Sequence, residues 1–273
     1  NYRELQKHDK SDFPVSFYYE DIFLFDFHRI DWHWHPELEL IYAENGSFTA
    51  EIGNRKIAVS QGQAMLINSN VVHALYSDGH AIIPNAVFLP NLLASEESAI
   101  YRRYISPFLQ STIEYICFCD DETWKKTEIE RICSLLCSAD EKNEIEIVSR
   151  LLDIWKLIFD NIGDSLTVQT ELRKNISQTR LKIMMGYIQK NYTKSITLDQ
   201  IAGAVSVSKS TALNIFNEYL HRSPIEYLIE YRLKKAAEML KETELTVETI
   251  AYDTGFSNVG YFCRKFKKAY SMT

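Results

Sequence analysis

The sequence predicts an α+β protein in two parts. Residues 1–162 read as an antiparallel β-barrel of jelly-roll type with helices following it, and residues 181–273 as an all-α domain holding two helix-turn-helix units. Residues 163–180 read as a linker between them. Three observations predict this: short apolar runs cut by turn signals over residues 15–90, a helical apolar period over 145–159, and a near-repeat between residues 201 and 268.

The strands come first. In Glu37-Leu38-Glu39-Leu40-Ile41-Tyr42, polar and apolar residues alternate, the period of a half-buried strand. Asn45-Gly46, Gly53-Asn54 and Gln61-Gly62 then divide the chain into short strands spaced as in a small barrel or jelly roll. From residue 91 the character changes. Ile145, Val148, Leu151, Leu152, Trp155, Ile158 and Phe159 recur at helical spacing, with Glu146, Arg150, Asp153 and Asp160 on the opposite face. Such a stripe is covered either by its own domain or by a partner chain. Gly163 to Arg180 is polar and offers little to a core, which makes it the linker.

The C-terminal part nearly repeats itself. Ile201-Ala202 recurs as Ile250-Ala251, 49 positions on, and Ser208, Ala212 and Phe216 recur as Asn258, Phe262 and Phe266, 50 positions on. In each copy a tight turn (Val205-Ser206-Val207, Thr254-Gly255-Phe256) precedes a capping residue that opens a second helix. Two such units in one chain form a layout that sets two helices into the major groove of DNA. In the first, Ala212, Ile215, Phe216 and Tyr219 turn inward, leaving Ser208, Lys209, Ser210, Leu213, Asn214 and Asn217 for the groove. Asparagine pairs bidentately with adenine, and Lys209 reaches phosphate or guanine. In the second, Phe262 and Phe266 turn inward, while Asn258, Val259, Gly260, Cys263, Arg264 and Lys267 face out. Arg264 is the natural reader of guanine or phosphate, and Lys265, Lys267 and Lys268 add attraction to the backbone. Between the units, Ser223, Pro224 and Glu226 carry the signature of an N-cap, a proline at the first helical position and a capping box. The helix they open runs through Leu240 and is expected to space the two reading helices by one DNA turn, about 34 Å.

Composition bounds the rest. The chain has 273 residues, 46% of them hydrophobic, so it can bury a proper core. Its net charge of −7 divides unevenly: residues 181–273 carry 13 Lys/Arg and 9 Asp/Glu, a net +4, which leaves −11 for residues 1–180. A basic part joined to an acidic one points to one polyanion-binding domain and one with another task. The five cysteines, Cys117, Cys119, Cys133, Cys137 and Cys263, lack the regular framework of a disulfide-stapled secreted fold; buried free thiols are expected rather than a zinc site. No apolar run approaches the ~18 residues of a membrane span and no signal peptide opens the chain, so the expectation is a cytoplasmic protein with no membrane partner. The sequence begins at Asn1 rather than Met, and the expectation is that the natural start lies upstream.

On these residues, 181–273 resemble the AraC/XylS-type transcription regulators. The resemblance is carried by Ile201-Ala202, Ser208 to Phe216, Ser223-Pro224 with Tyr227-Leu228, Arg232 with Ala236 and Leu240, and Ile250-Ala251 through Gly255-Phe256-Ser257 to Tyr261-Phe262 and Arg264 to Lys268. It implies a seven-helix domain contacting two adjacent major grooves. The chain departs from the family where Asn214 and Asn217 replace a usual Arg and Lys, and where His221 replaces a usual Gly at the turn after the first reading helix. It also ends at Thr273, short of the family's closing Ser-Pro and Tyr-Arg segment, as a shortened or disordered tail would.

A second constellation lies in the first part. His33, His35 and Glu39 stand at even spacing, which puts them on one side of a strand, and His73 comes from a later one. With Gly46 and Gly62 the spacing resembles the cupin barrel motif, in which three histidines and a glutamate can hold a divalent metal; Asn68 and Asn70 stand where cupins tend to have Pro and Gly. Three readings are open: a site for zinc, iron, manganese or nickel, a polar effector pocket, and a structural polar cluster. No cofactor is required by the pocket reading. Trp32, Trp34, Tyr42 and Tyr76 are candidates to stack on a sugar ring in the mouth of the barrel.

Together these imply a non-enzymatic regulator that binds double-stranded DNA and answers to a small effector, sugar-like by the resemblance. It is expected to act as a homodimer through helices in 92–162, with the 145–159 stripe as the candidate interface, and to touch RNA polymerase if it activates. The first twenty residues are expected to close over the pocket as an arm. The rival readings are a metal-sensing regulator and a metal-dependent cupin enzyme fused to a DNA-binding module; against the latter, no general acid or base stands beside the four candidate ligands.

Overall fold

The structure is a computed structural model describing residues 13–118, 123–137, 143–166 and 172–270. It divides into two compact units between Glu171 and Leu172.

The first unit holds strands β1 (Val15–Asp21), β2 (Arg29–His33), β3 (Leu38–Tyr42), β4 (Phe48–Ile52), β5 (Arg55–Val59), β6 (Ala64–Ile67), β7 (His73–Tyr76), β8 (Ile82–Phe88) and β9 (Tyr115–Phe118), with helices α1 (Ser106–Leu109), α2 (Thr123–Leu136) and α3 (Glu144–Ile162). Every strand pairing is antiparallel. The ladders do not close into the expected barrel. They form a five-stranded sheet, β1-β8-β3-β6-β9, and a four-stranded sheet, β2-β7-β4-β5. At the β4–β5 hairpin, Ile52 pairs with Arg55 across the two-residue Gly53-Asn54 turn, as its sequence signal predicts.

Side-chain alternation explains the layering. Leu38, Leu40, Leu66, Ala86 and Phe88 point to one side of the larger sheet, where α2 and α3 cover them with Ile132, Leu135, Leu151, Ile154, Trp155 and Ile158. Ile41, Met65, Ile67 and Ile83 point to the other side and meet Phe48, Ala50, Ile52, Val59 and Leu75 of the smaller sheet. The larger sheet is therefore the middle of three layers, which is why Leu38 to Ile41 are all buried although their sequence alternates. Each fully buried Leu or Ile contributes about 1.5–3 kcal/mol.

This packing settles the 145–159 stripe. The buried face of α3 is Ile147, Leu151, Ile154, Trp155 and Ile158, and the Trp155 indole N–H donates to the Tyr104 carbonyl at 3.0 Å. Leu152 is 38% exposed and Ile145 is 83% exposed. The stripe assigned to a dimer interface is consumed inside its own domain, rotated by about one position from the sequence reading. The arm needs correction too. Of the first twenty residues, 1–12 lie outside the described residues, but Val15 to Asp21 pair along their whole length with β8. Cysteines also differ from expectation: Cys133 is half-buried, Cys137 and Cys263 are exposed thiols, and Cys117 is disulfide-bonded. Cys119 lies outside the described residues.

The second unit consists of α4 (Leu172–Asn191), α5 (Leu198–Gly203), α6 (Lys209–Leu220), α7 (Pro224–Glu242), α8 (Val247–Asp253) and α9 (Val259–Tyr270). These are six helices among the described residues, where the resemblance implied seven. Residues 172–180 of the expected linker are helical, being the start of α4, whose Leu181, Met184, Met185 and Ile188 are buried. Polar sequence misled here because residues 176–180 of that helix are exposed or half-buried. α7 begins as its sequence says, with Ser223 and Glu226 forming a reciprocal capping box. Its Arg232 donates from Nε to the Tyr192 carbonyl and from Nη2 to the Lys194 carbonyl, both at 2.7 Å, and so clamps the end of α4.

The two repeats use the same backbone device. Ser206 and Gly255, equivalent by the 49-residue spacing, both have left-handed φ, 53° and 89°. At Gly255 a side chain is excluded outright, since a Cβ there would lie 2.4 Å from the Tyr192 carbonyl oxygen. His221 closes α6 in the left-handed region, with φ 52° and ψ 32°. The turn keeps the geometry that a glycine would take, at a backbone cost of roughly 1–2 kcal/mol.

Candidate nucleic-acid interface and ligand site

Each reading helix is built the same way. Ser208 Oγ accepts from the Thr211 N–H at 3.2 Å, and Asn258 Oδ1 accepts from the Tyr261 N–H at 2.7 Å. These caps satisfy amides that would otherwise be orphaned, so both side chains, assigned to DNA from sequence, turn their acceptors to their own helix. Below the caps, Ala212, Ile215, Phe216 and Tyr219 are buried in α6, and Phe262 packs with Ile250, Ala251 and Phe256 beneath α9.

The outward residues follow. On α6, Lys209, Ser210, Leu213, Asn214 and Asn217 are exposed, and on α9, Gly260, Cys263, Arg264 and Lys267 are exposed. Val259 is the exception, half-buried against the core under α9; as the first residue of the helix its side chain folds back on the turn rather than outward. Lys209 is held by Asp199 of α5 at 2.7 Å, and Ser210 Oγ lies 2.9 Å from Ser208 Oγ. At Gly260, the place a Cβ would take lies 3.3 Å from Asn258 Oδ1 and 3.7 Å from Arg264 Nη1.

The first unit brings His33, His35, Glu39 and His73 together. Glu39 shares the inner side of the larger sheet with Ile41, His73 shares the inner side of the smaller one with Leu75, His33 pairs with His73 across β2 and β7, and His35 follows β2. All four are buried, and one ligand atom from each lies within 4.8 Å of all the others. Backbone carbonyls fix the rings: His33 Nδ1 lies 2.7 Å from Asp31 O, His35 Nδ1 3.2 Å from Glu37 O, and His73 Nδ1 3.0 Å from Val71 O. A carbonyl only accepts, so each Nδ1 donates to it and each ring turns its Nε2 toward the centre.

Two of those Nε2 atoms meet Glu39 Oε2, His73 at 2.9 Å and His35 at 3.4 Å. Where Nε2 carries a proton it donates to this carboxylate, and where it does not its lone pair is available to a metal ion. Burial holds the His33 imidazole well below its ordinary range, helped by His73 and His35. Although burial opposes it, hydrogen bonds from His35 and His73 hold the Glu39 carboxyl well below the usual carboxylate range. The donor set therefore fits a divalent transition metal: three imidazoles with anchored Nδ1 and one carboxylate. The anchoring carbonyls of Asp31, Glu37 and Val71 escaped sequence reasoning because a backbone atom leaves no residue-type signal.

Two of the aromatic candidates, Tyr42 and Tyr76, face away from it. Tyr42 points with Leu38 and Leu40 to the helical side of the larger sheet, where burial and Cys133 push its hydroxyl up to about 12. Tyr76 alternates with the inward Leu75 and so faces the outer side of the smaller sheet, with Lys56 Nζ 5.5 Å from its ring centroid. Trp34 alternates with His33 and His35. Trp32 is buried, and its indole N–H has no hydrogen-bond partner among the described residues.

A two-sheet antiparallel domain followed by two capped helix-turn-helix units defines a two-part protein of the DNA-binding regulator class. Residues 24–154 match the family described as the AraC-like ligand binding domain, and residues 201–273 match a helix-turn-helix domain family. The chain belongs to the AraC family of DNA-binding transcription regulators, and it is a regulator rather than an enzyme. It is 29% identical over 281 residues to the HTH-type transcriptional regulator YdeC of Bacillus subtilis, covering 100% of this chain and 94% of that one. It is 21% identical to the transcriptional activator RhaS of Pectobacterium carotovorum, covering 88% and 84%. To the lactose operon transcription activator of Staphylococcus xylosus it is 25% identical, covering 54% and 53%. Among solved structures it is similar to apo ToxT of Vibrio cholerae, at 12% identity, 95% coverage of both chains and a TM-score of 0.46. No helix among the described residues is long and apolar enough to cross a membrane.

Proposed function

We propose that this regulator binds DNA through the exposed faces of α6 and α9, and that a ligand held at His33, His35, Glu39 and His73 governs it. The observation that carries this is the convergence of four buried polar groups between two sheets of a ligand-binding domain, a polar centre that burial makes costly unless something compensates it. For the ligand class, the names of two relatives, a RhaS activator and a lactose operon activator, support a sugar-like metabolite. The chain acts as a dimer with four helix-turn-helix units on two half-sites, and contacts RNA polymerase where it activates. A ligand shifts such a regulator only if it binds one arrangement better than the other.

A second reading is favoured by the anchored Nδ1 atoms: the four groups hold a divalent metal, with zinc, iron, manganese and nickel suited to them. The ion when bound would take the three Nε2 lone pairs and the Glu39 carboxylate as its ligands. A thermal-shift screen of the full chain against sugars and divalent metals, with and without chelator, tests both, since binding to the native state raises the melting temperature. A shift with one sugar class that ignores chelator supports the first reading and retires the second. A chelator-sensitive shift does the reverse. No shift with either class refutes a ligand role for the cluster.

A further inference from the structure

The two reading helices look alike in backbone but not in charge. α6 contains one cation, Lys209, and one anion, Glu218, whereas α9 contains Arg264, Lys265, Lys267 and Lys268 and no anion. With the helix that precedes each one, the first unit carries a net −1 and the second a net +2. The single cation of α6 is not idle either: Asp199 holds it at 2.7 Å. What α6 presents to a groove is uncharged, namely Asn214, Asn217 and Leu213, the last 38% exposed. On α9, Arg264, Lys267 and Lys268 are exposed.

We propose that the two units divide the work of DNA recognition, an inference that rests on the DNA-binding reading above. α9 is the electrostatic anchor, holding phosphates through Lys267 and Lys268 and carrying nearly all the salt dependence. α6, with one cation and one anion, is a reader without net charge whose half-site is rich in A·T pairs. Its Asn214 and Asn217 amides match the donor and acceptor pair on adenine, and Leu213 matches the thymine methyl. A reading helix whose groove-facing Asn214, Asn217 and Leu213 carry no charge releases few counterions, so its contribution to affinity survives salt that strips the other unit. Glu218 adds repulsion toward any phosphate beside α6, which leaves base edges as its favourable contacts.

The test uses the full chain. A randomised duplex pool is enriched for bound sequences, and affinity for an enriched duplex and for a random-sequence duplex is then measured by fluorescence anisotropy over a salt series. For Lys267→Gln with Lys268→Gln, the slope of log affinity against log salt is expected to shrink by about 1.8, roughly 0.9 per lost phosphate contact, with equal losses on both duplexes. For Asn214→Ala, the slope is expected to stay unchanged while affinity falls about 5- to 150-fold on the enriched duplex alone. All three residues are exposed, so the variants are expected to melt as the parent does. An unchanged slope in the lysine variant, or an equal loss on both duplexes in Asn214→Ala, overturns the division of work. Binding to neither duplex by the parent chain refutes the DNA-binding reading itself, and this inference falls with it.

Discussion

Glu128 offers a sharp test of the packing in the first unit. It lies on α2, fully buried, and neither carboxylate oxygen has a hydrogen-bond partner among the described residues. Burial raises its carboxyl from 4.5 to about 8; nearby Asp153 raises it further and Arg131 opposes. The folded protein therefore keeps a proton that the unfolded chain releases. The stability this group permits is fully present below pH 4.5 and is lost as pH rises through about 8. At about 1.4 kcal/mol per pH unit, the penalty reaches about 3 kcal/mol at pH 7 and about 5 kcal/mol above pH 8. Glu128→Gln has nearly the same shape and no charge to desolvate. It is expected to match the parent near pH 4.5 and to exceed it by about 3 kcal/mol at pH 7. Urea unfolding followed by tryptophan fluorescence reads this cleanly, because all four tryptophans, Trp32, Trp34, Trp124 and Trp155, lie in the first unit. A gap between variant and parent that is the same at pH 5 and pH 8 would refute the reasoning.

Other expectations are as specific. Arg264→Ala is expected to cost about 1–3 kcal/mol of specific DNA binding if the guanidinium reads a base bidentately; equal loss on random DNA would make it a phosphate contact instead. His35→Ala removes one of the two imidazoles that face Glu39. It is expected to abolish the ligand-induced rise in melting temperature while leaving unliganded DNA affinity within about twofold, roughly 0.4 kcal/mol; a chain that no longer folds would show the cluster to be structural. His221→Gly relieves a left-handed backbone and is expected to stabilise the second unit by about 0.5–1 kcal/mol in urea melts followed by helical circular dichroism. Loss of stability there would mean that the imidazole itself supports the turn.

Sequence reading worked where local chemistry decides structure. The caps at Ser208 and Ser223, the turns at Gly53-Asn54 and Gly255 and the inward faces of α6 and α9 follow from residue type and spacing alone, because each depends on neighbours within one or two turns. It also found the four cluster residues, but not for the reason it gave: His33 ends β2 of the smaller sheet, Glu39 lies on β3 of the larger one and His35 sits in the connection between them, so they converge from two sheets and not from one side of one strand. It failed where distant layers decide. The direction of Tyr42 and Tyr76 depends on which face of each sheet becomes the interior, and both faces of the larger sheet are covered. The α3 stripe was found, but its occupant was not, because an apolar face does not say whether it meets its own sheet or another chain. The start of α4 was hidden by its polar composition, and the two-sheet arrangement cannot be told from a barrel by turn spacing.

The strand β3 has a consequence for signalling. Its Glu39 reaches into the interior between the sheets, while Leu38 and Leu40, its immediate neighbours along the backbone, are gripped from behind by α2 and α3. Sensor and lever are thus back to back, separated by the thickness of one strand. A ligand that draws the carboxylate toward itself twists the same peptide units that seat those leucines, and a close-packed layer answers such a twist by sliding rather than by yielding. Under the proposed ligand reading, a signal from the cluster leaves through a wall it is already built into, and needs no long chain of intermediaries to reach the helical face.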